Sequence, residues 1–393
     1  MTISTPIDGE CTPAFAQVRR VFEDSFAQPG EQVTIGREVG AAVAVYRDGE
    51  LVVSLWGGFM DKGKTQPWRQ DTLVNLFSTT KGFTAACVAA LVDEGKLTYE
   101  EPACRLWPEL AQHGKQDITV GDLLSHKGAL PALREMMSPE SLYDWEAMTQ
   151  ALAAEKPWWP PGTKHGYHPF TFGWLAGEII RRASGKTMGA YFRDRFAGPL
   201  GLDAHVGLAE SEDARVAAIQ RGPRPPTEIE LATRMIEAPE SMLTRAFSNP
   251  PSLIMGGVFN KREYRAAEIP SVNGHATAHA VARFYGALAR GGEIDGVRVL
   301  SEQALSQATR EVSSGVDAVL GLPNRFGMGF MLPVEGANFG SAKAFGHPGA
   351  GGSIGFADPE HRLGFAYVTC SMQHLLPIDP RATALIQAAL SAA

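Results

Sequence analysis

The sequence predicts an α+β fold in which a sheet assembled from both ends of the chain carries a helical insertion. β-rich apolar segments lie near one end, at 39–46 and 51–56, and return near the other, at 327–332, 352–357 and 363–369. Between them the apolar spacing is mostly helical. A chain of 393 residues also exceeds the usual size of a single core. We therefore expect a discontinuous sheet domain, residues 1–77 with 265–393, and a mainly helical domain, residues 78–264, with the site between them.

Taken in order, Phe15, Val18, Val21, Phe22 and Phe26 repeat at helical spacing, and Pro29-Gly30 closes that helix. The strands at 39–46 and 51–56 are split by Arg47-Asp48-Gly49-Glu50, a hairpin turn. Residues 72–77 lead into an alanine-rich helix that ends near Asp93-Glu94-Gly95. Helices follow at 119–124, 145–153, 172–183 and 188–196, and 222–226 reads as a proline-rich hinge or exposed loop. An amphipathic helix at 276–290 precedes a long loop-rich stretch reaching about Phe326. The closing strands turn at Asp358-Pro359-Glu360-His361, and a helix occupies 380–392.

Composition narrows the function. With 44% hydrophobic and 20% charged residues the chain has ample core, and its formal charge of −7 argues against nucleic acid or an anionic membrane as partner. No basic run appears. Residues 1–10 lack the basic and apolar regions of a secretion signal, and the four cysteines (Cys11, Cys87, Cys104 and Cys370) are far apart with no CxxC. A cytoplasmic protein with free thiols is expected; the oligomeric state is left open.

The chemistry centres on Ser78-Thr79-Thr80-Lys81 at the start of the alanine-rich helix. Three residues apart on a helix, Ser78 and Lys81 share a face. A lysine half buried against Phe83 and Val88 loses its proton readily, and a neutral amine can take the serine proton. The helix start adds free N–H groups where an oxyanion would develop. The pattern is short, however, and a capping serine followed by a solvated first-turn lysine has the same spelling.

Tyr167 closes a Pro-Gly loop before the helix at 172–183, where its hydroxyl could enter a cleft. Near an ammonium its pKa would fall, making it a second candidate base; a half-buried packing role is the plainer reading. Phe345-Gly346-His347-Pro348-Gly349-Ala350-Gly351-Gly352 precedes a strand: its small residues admit a substrate to the backbone, free N–H groups could complete an oxyanion hole, and His347 could bond a substrate carbonyl or leaving group. A simple glycine-rich turn fits as well. Gly351-Gly352-Ser353-Ile354-Gly355 spells G-x-S-x-G, but strand rather than helix follows, so Ser353 is a decoy. His275 with His279, and His165 with His168, lack further ligands, so no metal is expected. No nucleotide-binding glycine motif is present, and no cofactor is expected.

In their order and spacing these stretches resemble the serine β-lactamase and penicillin-binding-protein superfamily, and within it the family VIII carboxylesterases related to class C β-lactamases. The resemblance runs from about Val39 to Thr369 and rests on Ser78-Thr79-Thr80-Lys81, Leu91-Val92-Asp93-Glu94-Gly95-Lys96-Leu97, Val120-Gly121-Asp122-Leu123-Leu124-Ser125-His126, Pro161-Gly162 with Tyr167, Phe196-Ala197-Gly198-Pro199-Leu200-Gly201-Leu202 and His347-Pro348-Gly349. It implies a β-lactamase/transpeptidase-like fold, an antiparallel sheet flanked by helices plus a mainly helical domain. It implies Ser78 as the acylated nucleophile, Lys81 and Tyr167 as shared base and acid, the N–H groups of Ser78 and Ala350 as the oxyanion hole, and His347 and Gly349 at the substrate.

Two departures from the family pattern matter. Tyr-x-Asn is here Tyr167-His168-Pro169, and the lysine of Lys-Thr-Gly is His347. Both favour a neutral ester over an anionic β-lactam or peptide. The expected activity is hydrolysis of short-chain carboxylic esters, a small-molecule substrate class. A β-lactamase, a D-amino-acid peptidase or amidase, and an acyltransferase are alternatives on the same fold, and an inactive binding module is one of another class. The role of 265–275 is left open.

Overall fold

The structure, a computed structural model, describes residues 5–27, 38–222, 226–254, 257–373 and 378–393. Its sheet comprises β1 (Ile7–Cys11), β2 (Gly40–Arg47), β3 (Glu50–Gly58), β4 (Phe345–Pro348), β5 (Ile354–Asp358) and β6 (Leu363–Thr369). The spatial order is β1-β3-β2-β6-β5-β4, antiparallel throughout. Both ends of the sequence therefore meet at the β2–β6 seam, where Leu363 faces Arg47 and Thr369 faces Ala41. The β2–β3 hairpin closes through Asp48 and Gly49, both at positive φ (52° and 91°), the conformation a two-residue hairpin turn requires.

The helices that place the site are α1 (Ala16–Asp24), α2 (Thr80–Asp93), α3 (Val120–Leu124), α4 (Trp145–Ala154), α5 (Thr171–Ser184), α6 (Ala278–Ala289) and α7 (Pro380–Leu390). Strand β2 is buried on both faces. Ala41, Val43 and Val45 join Phe22 of α1 and Leu385 of α7 in one core, whereas Ala42, Ala44 and Tyr46 join Val281 and Tyr285 of α6 in the other. Helix α2 is buried on every side from Thr80 to Leu91, between α5, the sheet side and the helix Glu302–Thr309. Thr119 and Asp122 form a reciprocal capping box at the start of α3. No helix among the described residues is long and apolar enough to cross a membrane.

Several expectations need correction. The stretch read as loop up to Phe326 contains the helix Glu302–Thr309 and an antiparallel pair, Ser313–Val316 with Pro323–Phe326. No strand forms at 327–332; single bridges join Phe326 to Met331 and Met331 to Gly346, because Gly329 turns the chain at φ 89°. Residues 72–77 lead into the helix as expected, outside the main sheet. Val74–Asn75 pairs with His275–Ala276 in a separate three-stranded sheet. Of the expected 222–226 hinge, residues 223–225 lie outside the described residues, and Pro226 opens the helix Pro226–Glu237.

Helix α6 lies unusually near the sheet. A Cβ on Gly364 would stand 2.2 Å from the Gly286 nitrogen and 2.5 Å from the Ala282 carbonyl oxygen. Gly364→Ala is thus expected to lower stability by about 1–3 kcal/mol, as overpacking does; an unchanged denaturant midpoint would contradict this contact. A second expectation concerns acid. His168, His275 and His347 are buried, and burial pushes each down to about 3. Unfolded, each binds a proton near its ordinary value of 6.5. The unfolded state takes up protons first as pH falls, so the contribution is present above about 6.5 and is lost on acidification. The urea midpoint should drop between pH 7 and pH 5, above the ordinary carboxylate range; a flat midpoint would show that these rings are not buried neutral.

Candidate active site

Ser78 sits in a 3-10 turn, Phe77–Thr79, immediately before α2, rather than in the first turn of the helix itself. The turn is strained and clamped. Phe77 takes a left-handed φ of 48°, costly for a bulky residue, and its ring stands edge-on to Phe259 at 4.9 Å. Leu76 N–H donates to the Gly274 carbonyl at 2.8 Å, Gly274 N–H donates to Thr80 Oγ1 at 2.9 Å, and Thr80 Oγ1 donates to the Phe77 carbonyl at 2.6 Å.

Lys81 is fully buried, not half buried, and its apolar walls are the rings of Tyr167 (4.8 Å) and Phe172 (5.7 Å) rather than Phe83 and Val88. Phe83 instead packs against Phe192 and Phe284. Lys81 Nζ lies 2.8 Å from the Pro169 carbonyl, 3.1 Å from the Ser271 carbonyl and 3.3 Å from Ser78 Oγ. Burial alone holds its pKa well below the lysine range. A neutral amine has two N–H bonds, which the two carbonyls consume, and one lone pair, which is left for the Ser78 hydroxyl.

Tyr167 closes the other side of Ser78, its hydroxyl donating to Ser78 Oγ at 2.9 Å. Its main chain is fixed by the buried Asp317, whose Oδ2 accepts Tyr167 N–H at 2.7 Å while Oδ1 accepts from Val319 and Leu320. Its ring stacks between Phe326 and His347. The expected fall of the Tyr167 pKa does not occur: burial raises it above the phenol range, against a smaller lowering by the bond to Ser78. The cation that would have lowered it is itself held toward neutrality by burial, and it faces the ring rather than the hydroxyl. Tyr167 is a donor here.

The third wall is β4 and the turn after it. His347 is buried, and its Nδ1 lies 2.6 Å from the Pro348 carbonyl, which assigns the ring proton to Nδ1. Burial keeps the ring neutral. Nε2 has no protein partner among the described residues, so it offers a lone pair and can accept from a hydroxyl but not donate to a carbonyl. Gly349 borders the cavity, yet its missing Cβ faces protein: a side chain there would meet Ser353 Oγ at 2.2 Å and the Leu76 carbonyl at 2.3 Å. Its smallness lets two turns approach. Ala350 begins the 3-10 turn Ala350–Gly352, which packs against the Ser78 turn.

Ser353 is buried and donates to the Leu76 carbonyl at 2.7 Å, between a 3-10 turn and strand β5, with no following helix. It braces the Ser78 turn. Pro169 stands where the family has an amide, and His168 before it faces inward: Nε2 accepts Leu130 N–H at 3.1 Å and Nδ1 meets the Gly166 carbonyl at 2.6 Å. His275 and His279 are taken up by the Asn273 carbonyl and the Tyr46 hydroxyl. Among the described residues no three metal-ligating side chains converge.

Three supports escaped the sequence reading. Asp317 lay in a stretch read as loop. Arg381, from α7, donates to the Gly351 carbonyl at 3.0 Å and is held by Glu38 (2.6 Å) and Asp379 (2.7 Å), so a buried ion cluster anchors the Ala350 turn. Residues 270–274, whose role was open, staple α2: the Pro270 carbonyl accepts from Thr84, the Ser271 carbonyl from Lys81, and Asn273 caps its own loop through Ile269, Tyr264 and Ala267. An asparagine before glycine was the one local signal for that turn.

Ser78, Tyr167, His347, Gly349 and Ala350 all border one cavity of about 710 Å³; Lys81 lies behind its wall. Comparison with known proteins identifies the family. The model of the beta-lactamase family matches residues 22–389. The chain is 38% identical over 369 residues to the esterase/beta-lactamase LipL of Mycobacterium tuberculosis, covering 92% of this chain and 82% of that protein. Among solved structures, a family VIII carboxylesterase superposes with a TM-score of 0.88 at 39% identity, covering 99% of this chain and 100% of the other. A penicillin-binding protein homologue from Caulobacter crescentus superposes with a TM-score of 0.87 at 42% identity, again covering 99% and 100%. The chain belongs to the beta-lactamase family.

Proposed function

We propose that this protein is a serine esterase that cleaves small uncharged carboxylic esters through an acyl-enzyme on Ser78. One observation carries the reading: Ser78 Oγ lies between a buried amine at 3.3 Å and a protonated tyrosine at 2.9 Å. Lys81 takes the serine proton as Oγ attacks the ester carbonyl. The N–H groups of Ser78 and Ala350, each in the opening residues of a 3-10 turn, receive the developing oxyanion, a contact worth ~3–4 kcal/mol per donor in acyl transfer. Tyr167 gives its proton to the departing alkoxide, and the Lys81 ammonium restores it. Water then enters, loses its proton to the same pair, and releases the acid.

The substrate is read as uncharged because His347, where the family has a lysine, is a neutral ring whose Nε2 carries no proton. That nitrogen suits the hydroxyl of the leaving alcohol. The esterases among the similar proteins support the reaction class. The four cysteines are unpaired, which fits a reducing, cytoplasmic setting.

Turnover of p-nitrophenyl butyrate tests the assignment. Ser78→Ala is expected to abolish it together with the covalent acyl adduct. Lys81→Ala should lower kcat by ~10²–10⁴-fold, the usual scale of a lost general base. Ser353→Ala forfeits two hydrogen bonds, to the Leu76 carbonyl and the Thr79 hydroxyl, and should remain within about tenfold of wild type. Activity of Lys81→Ala at the wild-type level would end this mechanism, and a dead Ser353→Ala beside an active Ser78→Ala would move the nucleophile.

A further inference from the structure

The cavity over Ser78 is far larger than a butyryl ester needs. At about 710 Å³ it falls within the ~300–1,000 Å³ range of sites that enclose a drug-sized ligand. Its walls are largely apolar, among them Met136, Met235, Ile236, Phe247, Phe259 and Leu322. Two charged side chains reach the lining, Arg221 and Glu240, of opposite sign, so neither a carboxylate nor an ammonium is favoured overall.

The exposed apolar surface of the molecule is concentrated at this place. Among the described residues the exposed large hydrophobic side chains are Leu51, Met136, Ile236, Val316 and Leu322, and Met136, Ile236 and Leu322 border the cavity. They come from three separate parts of the fold: the loop before α4, the helix Pro226–Glu237, and the turn between the paired segments Ser313–Val316 and Pro323–Phe326. Their convergence on one opening is what an apolar ligand entering from solvent requires. Methionines 136, 235, 331 and 372 add unbranched, adaptable walls, which tolerate ligands of differing outline.

We propose that the site takes, in preference to the short-chain esters it also cleaves, uncharged esters carrying a large apolar group of medium-chain or aromatic size. The inference rests on the esterase reading above and extends it to a substrate class. The apolar group is either the acyl chain or the alcohol, and both present the same chemistry to this cavity.

Two substrate series on the wild-type protein test it, all below their solubility limits. In the acyl arm, kcat/KM is measured for p-nitrophenyl acetate, butyrate and octanoate; in the alcohol arm, for ethyl, butyl and octyl acetate. Each buried methylene contributes up to roughly fourfold, so the octyl-length member should exceed the four-carbon one by about tenfold or more in the arm whose group fills the cavity. Ile236→Asp and Leu322→Asp, both at exposed positions that folding tolerates, should lower that ratio about tenfold by placing a charge on the apolar path. A preference for the shortest members in both arms, or a ratio unmoved in both variants, overturns the inference while leaving the esterase intact. Absence of turnover with every ester overturns the esterase reading, and this inference with it.

Discussion

The structure is organised around an amine buried with no countercharge. Lys81 is fully enclosed, and among the described residues no carboxylate pairs with it. Removing an ammonium from water without a partner costs several kcal/mol even after relaxation, and the group relieves that cost by giving up its proton. Two main-chain carbonyls accept its N–H groups, which satisfies the amine without charging it. Had a carboxylate stood where Pro169 and Ser271 stand, the lysine would be a structural ion pair and a poor base.

Those carbonyls belong to distant parts of the chain, so much of the fold exists to bring them together. Pro169 precedes α5, and Ser271 lies in the segment that staples the first turn of α2. On the opposite side, Gly349 and Ser353 press on the Leu76 carbonyl, and Arg381 holds Gly351 from the last helix. Strain at Phe77 is tolerated because the surroundings over-determine it. The same close fit between backbones recurs at Gly364 and Gly286, where α6 meets the sheet.

Much of this was legible before the structure. The hairpin at Asp48-Gly49, the capped turn at Thr119 and the alanine-rich helix follow from local chemistry, and the Ser78–Lys81 spacing puts both groups on one face. Tyr167 could be named by family resemblance, although its distance to Ser78 spans 89 positions of sequence. The direction of its pKa was not legible, because it depends on how deeply Lys81 is buried, and burial is a property of the whole core. Asp317, Arg381 and the 270–274 staple were hidden for the same reason. Each acts through a main-chain group elsewhere in the chain, and main-chain partners leave no mark on residue type. His168, beside Tyr167 in sequence, is turned into the core by packing.

The protonation of Lys81 in the resting protein tests the account most directly. Nitrogen-15 NMR of protein labelled at the lysine side chains, with the Lys81 resonance assigned by its loss in Lys81→Met, reads that state across pH. The account predicts deprotonation with a midpoint well below the ordinary lysine value of 10.5. An ammonium that persists to pH 10 would contradict it, since Ser78 would then lack its base.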